Sequence, residues 1–187
     1  EVEDLNFVVS LAGTAVSGDQ ILIEQNRVLL EKSKVPTEIV NSYCELLKEI
    51  YAIKRSGVQF DRESKITELR NKYSYLPLQM IGNIAALLQP QAWIDYFISY
   101  DPTEALKNIG CRVLALNGDK DVQVIAKQNI DALKQHILAE QLTTKIYPDL
   151  NHLFQHCTTG MPNEYYQIEE TISPEVLKDI INWIKAK

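Results

Sequence analysis

Apolar positions along the chain follow two different periods. Three short runs are nearly continuous in apolar and β-branched residues, the pattern of strands buried on both faces of a parallel sheet. They are Phe7-Val-Val-Ser-Leu-Ala, Val113-Leu-Ala-Leu116 and Thr143-Thr-Lys-Ile-Tyr147. Each is stopped by a turn former, Gly13, Gly118 or Pro148. Elsewhere apolar side chains recur every three or four positions, as on one face of a helix. Asp19 can cap a helix towards Lys32. Pro36 opens a longer one carrying Ile39, Tyr43, Leu46, Ile50 and Ile53, with Gly57 as its stop. A thin stripe of Ile66, Leu69 and Tyr73 runs through residues 61–73, and Leu76-Pro77 opens an apolar helix through Leu88, closed by Pro90. Residues 93–100 are aromatic-rich, and Asp101-Pro102 starts a helix leading back to the second strand. Residues 126–139 present Ile130, Leu133 and Ile137 to a sheet. Ser173-Pro174-Glu175 opens the last helix with a cap, a proline at the first position and an acid at the positive end of the dipole. That helix is predicted to bury Val176, Leu177, Ile180, Ile181 and Ile184, with Trp183 nearby.

Strand, helix and strand in that order make a βαβ unit, so the predicted fold class is α/β with about three strands, mostly parallel. The expected organisation is a strand and turn over residues 1–18, a helical insertion over 19–100, and the remaining core over 101–187. A sheet of three strands leaves a long apolar edge. The chain therefore reads as the second half of a domain, and self-association through that edge is expected.

Composition narrows the function. Of 187 residues, 45% are hydrophobic and 24% charged, enough for one good core. A formal net charge of −6 argues against nucleic acid and anionic membranes as partners. The longest near-apolar run, residues 7–16, is far short of the roughly 18 residues needed to cross a bilayer. Cys44, Cys111 and Cys157 are an odd number without C-x-x-C spacing, which is neither a disulfide framework nor a zinc site. There is no G-x-G-x-x-G and no phosphate loop, so no cofactor is predicted. The chain begins at Glu1, and its compartment is left open between the cytoplasm and the periplasm or exterior.

The chemistry sits at the turns that follow the second and third strands. Gly118-Asp-Lys-Asp121 presents two carboxylates, and Asp149-Leu-Asn-His152 presents an imidazole about thirty residues on, both at the carboxyl edge where open α/β sheets place their sites. Imidazole titrates near neutral pH and suits a general base. A carboxylate accepting from it fixes its tautomer and stabilises the imidazolium.

Leu116-Asn-Gly-Asp-Lys-Asp-Val-Gln-Val124 resembles the acid turn of the α/β-hydrolase family, and Asn151-His152-Leu-Phe its histidine turn. The tail Glu164-Tyr to Ile168-Glu-Glu-Thr-Ile-Ser-Pro174 is similar to the bacterial esterase and dienelactone-hydrolase-like branch, related to the prolyl-oligopeptidase group. The resemblance implies the C-terminal part of an α/β-hydrolase sheet, with residues 19–100 as a helical cap. It implies Asp121 as the catalytic acid, since the family's acid lies three residues after the turn glycine, and His152 as the base. It also implies a small ester or amide substrate. The family order is Ser, acid, His. No G-x-S-x-G occurs in these residues, and the nearest approach, Ala15-Val-Ser17-Gly-Asp19, lacks the first glycine. The nucleophile and its oxyanion donors are therefore expected upstream, and this chain alone is expected to be inactive.

Other residues have plainer readings. Cys111 starts a buried strand at the end opposite the acid turn and reads as an inert thiol. Ser10 and Ser17 read as a strand residue and a cap, Asp119 as a solvated carboxylate, and His136 as structural. His152 and His156 have helical spacing for a metal pair, but further ligands are lacking. Glu164, Glu169 and Glu170 read as an exposed acidic rim. Tyr43, Tyr73, Tyr75, Trp93, Tyr96 and Phe97 suit an apolar acyl or aryl group, or are packing. The competing function is a non-catalytic α/β module that binds a ligand or partner and keeps Asp and His for packing.

Overall fold

The computed structural model describes residues 5–186, so the outermost residues of the first and last predicted segments lie outside it. In chain order the elements are β1 (Phe7–Leu11), α1 (Gly18–Lys32), α2 (Thr37–Arg55), α3 (Arg62–Lys72), α4 (Leu78–Gly82), α5 (Ile84–Leu87), α6 (Ala92–Ser99) and α7 (Thr103–Lys107). They continue with β2 (Arg112–Gly118), α8 (Ala126–His136), β3 (Leu142–Tyr147), a 3-10 turn (Pro162–Gln167) and α9 (Pro174–Lys185). The fold class is α/β. Two compact units emerge: the helical stretch Ser17–Tyr100, and the remainder, which carries the sheet. None of the helices among the described residues is long and apolar enough to cross a membrane.

The sheet is parallel throughout, in the order β1-β2-β3. Val9 pairs with Leu114, and Gly118 with Tyr147. The central strand β2 is buried from Val113 to Gly118, which explains its unbroken apolar run. Alternation then assigns its side chains to two faces. Leu114 and Leu116 join Tyr147, Leu150, Phe154 and Val176 on the α9 side. Val113 and Ala115 join Ala15, Ile130, Leu133 and Ile137 on the α8 side. Burying each such aliphatic side chain contributes roughly 1.5–3 kcal/mol.

The last helix departs from expectation. Val176 is fully buried and Ile180 and Trp183 pack beside it, but Leu177, Ile181 and Ile184 are 45%, 50% and 36% exposed. Positions 176, 180 and 183 form one stripe at helical spacing, and 177, 181 and 184 form the next, turned about 100° away from the sheet. A strand order of only three gives the second stripe nothing to lie on within this unit.

One buried polar residue links α8 to the segment after β1. Asn129 has no exposure; its side-chain oxygen accepts from the amide of Ala15 at 2.8 Å, and its side-chain nitrogen donates to the Ile125 carbonyl at 3.0 Å. Asn129→Ala would strand the Ala15 amide in an apolar setting, and an unmet buried donor costs about 1–3 kcal/mol. Urea unfolding should show a loss of that size, whereas a cost below about 0.5 kcal/mol would mean the amide finds another partner.

In the helical unit, α2 supplies the centre of the core through Val40, Cys44, Leu46, Leu47 and Ile50, joined by Leu69 of α3, Ile84 of α5 and Ile98 of α6. Gly57, with φ +64, follows the end of α2. Tyr43 and Tyr73 are core residues, while Tyr75, Trp93 and Tyr96 are exposed. Trp93 stacks on Phe97 with ring centroids 5.2 Å apart. Two local expectations are corrected. Asp19 is not the cap: Ser17 is the N-cap residue, and its hydroxyl donates to Asp19 in the first turn, which also pairs with Arg55. The single apolar helix over residues 76–88 is two short ones, broken at Gly82-Asn83. Gly weakens a helix by about 1 kcal/mol relative to Ala. The far end of α5 is held by Lys54, whose ammonium reaches the Leu87 and Gln89 carbonyls and the Asp95 carboxylate. Those carbonyls lie at a helix end and would otherwise lack partners.

Candidate active site

The first turn leaves β2 at Asn117 and Gly118. The second leaves β3 at Tyr147, and because the strands are parallel neighbours both turns emerge at one edge. Their backbones are joined directly. The Asp119 amide donates to the Tyr147 carbonyl at 2.9 Å, and the Lys120 amide to the Leu150 carbonyl at 3.1 Å. Asp119 is exposed but not merely solvated: its carboxylate accepts from the Asp149 amide at 2.7 Å. Lys120 pairs with Asp149 at 2.6 Å, which raises the lysine pKa and holds the Asp149 carboxyl below its usual range.

Asp121 is buried, with no side-chain exposure. One carboxylate oxygen accepts from the amides of Gln123 and Val124 at 2.8 and 2.9 Å. The other faces His152 Nδ1 at 2.9 Å and the side-chain nitrogen of Asn117 at 3.4 Å. Asn117 also donates to the Val124 carbonyl at 3.1 Å, closing the turn on itself. A buried carboxylate so supplied is fixed in position.

The histidine turn is shaped by Asn151, which is fully buried. Its side-chain oxygen accepts from the amides of Leu153 and Gln155, and its nitrogen donates to the Gln155 side chain. Asp149 and Phe154 take positive φ values of 61° and 58°. For a bulky side chain such as Phe154 that conformation costs on the order of 1–3 kcal/mol. Its ring offsets this by packing edge-on against Tyr147 inside the core. The turn leaves His152 partly open, with 26% of its side chain exposed.

The protonation pattern follows from the partners. A carboxylate can only accept, so Nδ1 carries the proton in the pair and Nε2 of neutral imidazole is left as an acceptor. That is the tautomer of a general base. No serine among the described residues is hydrogen-bonded to His152.

The remaining candidates lie elsewhere. His156 does not join His152; it pairs with Glu170 at 2.9 Å, and its amide donates to the same carboxylate, holding that carboxyl below its usual range. Glu164 is likewise no rim residue: its carboxylate accepts from the amides of Thr159 and Gly160. Glu169 is exposed. Burial pushes the Cys157 thiol up, away from a reactive thiolate. Cys111 precedes β2, Ser10 lies in β1, and His136 ends α8. Among the described residues, no group of three or more His, Cys, Asp or Glu is placed to hold a metal. Asn117, Gln123 and Tyr165 contribute to the site without having been singled out in the sequence. Asn151 had a cue, as an Asn immediately before His152, a residue type that closes turns with its side chain.

No family model matches the sequence, and no curated protein is similar to it at a significant level. Among solved structures, that of E-2-(acetamidomethylene)succinate hydrolase is similar, with 20% sequence identity and a TM-score of 0.35. The match covers 76% of this chain and 53% of that one, so the chain spans about half the length of the protein it matches.

Proposed function

We propose that this chain supplies the acid and base of a serine hydrolase that cleaves carboxylic esters or amides. The observation that carries the reading is the Asp121–His152 contact of 2.9 Å, made by a fully buried carboxylate and a partly open imidazole at one end of a parallel sheet. In this reaction His152 Nε2 takes the proton of a serine hydroxyl as that oxygen attacks the acyl carbon, and returns it to the leaving group. Asp121 orients the ring and stabilises its charged form. The nucleophile belongs, on this reading, to sequence outside residues 1–187, because these residues hold no G-x-S-x-G.

Intact mass after treatment with a fluorophosphonate tests this. No adduct is expected on these 187 residues, and one adduct is expected on a longer form in which a G-x-S-x-G precedes them. An adduct on this chain that disappears in His152→Ala would place the nucleophile inside it and refute the upstream serine. A longer form with another residue at the serine position would leave a binding module instead.

A further inference from the structure

We infer that Tyr165 is a positioning residue for the Asp121–His152 pair, its hydroxyl bracing through Gln123 the turn that carries Asp121. The inference rests on the hydrolase reading above, and it adds a residue that the acid-base pair alone does not call for.

The 3-10 turn bearing Tyr165 is anchored against the acid turn. Glu164 gathers the amides of Thr159 and Gly160 at 2.8–3.1 Å. Gly160, with φ +74, lies so close to the Lys120 carbonyl that an added Cβ would come within 1.9 Å of it. Lys120 in turn donates to the Cys157 carbonyl at 3.2 Å. From this anchored turn the Tyr165 hydroxyl accepts from the Gln123 side-chain nitrogen at 3.1 Å. Gln123 is itself bonded to the site, its own amide donating to the Asp121 carboxylate at 2.8 Å. The hydroxyl therefore holds a residue whose amide touches Asp121.

Burial, with the Asp121 charge adding to it, raises the Tyr165 pKa despite the bond from Gln123. The hydroxyl stays neutral at working pH, so its part is to hold geometry and not to transfer a proton. A displacement of about 1 Å at a reacting group can cost on the order of 100-fold in rate, so a brace on the acid turn bears directly on the pair. Tyr166, next in sequence, is 79% exposed and serves as the matched control.

The test is nuclear magnetic resonance of the His152 Nδ1 proton. It compares the protein with Tyr165→Phe, Gln123→Leu, Tyr166→Phe and Asp121→Asn, alongside backbone amide exchange in β2. Asp121→Asn should abolish the bonded Nδ1–H signal. Tyr165→Phe and Gln123→Leu should keep it but speed its exchange with water about tenfold, the scale of one lost hydrogen bond. Tyr166→Phe should change nothing. If Tyr165→Phe behaves as Tyr166→Phe does while Asp121→Asn still loses the signal, the positioning role is overturned and the pair stands. Equal acceleration of the β2 amides in Tyr165→Phe would reduce the residue to general stability and also overturn the role. Absence of any Asp121-dependent signal in the unmodified protein would remove the pair, and this inference with it.

Discussion

On the proposed reading, Asp121→Asn is expected to lower kcat of a form that carries the nucleophilic serine by about 10⁴-fold while the protein still folds. The two amides that hold one carboxylate oxygen, from Gln123 and Val124, find the same acceptor in the asparagine oxygen. The other position changes sign. An NH₂ group would then face His152 Nδ1 and the Asn117 side-chain nitrogen, where a carboxylate oxygen now accepts from both. Nδ1 must become the acceptor, which puts the imidazole proton on Nε2 and disables it as a base. Loss of the charge also leaves the imidazolium without its counter-ion. Steady-state kinetics on a small ester would check this, with circular dichroism for folding. Turnover within tenfold of the parent would mean that Asp121 is not the orienting acid.

Gly118→Ala is expected to destabilise the protein by about 3 kcal/mol, the upper part of the range for forcing extra volume into a packed site. A Cβ there would lie 2.1 Å from the Leu150 carbonyl oxygen and 2.8 Å from that of Asn151. Both atoms are backbone, so no rotamer change relieves the clash; the histidine turn must move. The same turn accepts the Lys120 amide, so stability and catalytic geometry should fail together. Gly110→Ala is the control, since nothing lies within 4 Å of its would-be Cβ. Denaturant midpoints at unchanged slope would measure both. Equal midpoints for the two variants would show that the turns are not in the close contact described.

β2 was legible because burial on both faces leaves an unbroken apolar run; β1 and β3 carry similar runs but are only partly buried, with Leu11 and Ile146 exposed. The placing of both turns at one edge followed from parallel order. What stayed hidden has a common physical cause: it depends on which surfaces meet. Helical periodicity marks five apolar positions on α9, but it cannot say that the sheet is wide enough only for the stripe at Val176, Ile180 and Trp183. Residues 76–88 are apolar enough for one helix, and Ile81, Ile84 and Leu88 keep helical spacing in the core although the chain breaks at Asn83. Glu164 looks like a surface acid until its carboxylate is seen to gather two backbone amides. Tyr165 reaches Gln123 across 42 residues, a link that no local pattern encodes.

The pairing of β1 with β2 has a consequence for how the protein is made. Phe7 lies opposite Arg112, so β1 leaves the ribosome roughly a hundred residues ahead of its partner, a delay on the order of 5–20 s at ordinary synthesis rates. Throughout that interval Phe-Val-Val-Ser-Leu is an apolar segment without its β2 neighbour, while the helical unit can already build its core. The β2-α8-β3 unit pairs over a short span, and β1 joins it over the whole of residues 12–111. Co-translational folding of this chain thus depends on how long β1 waits for β2.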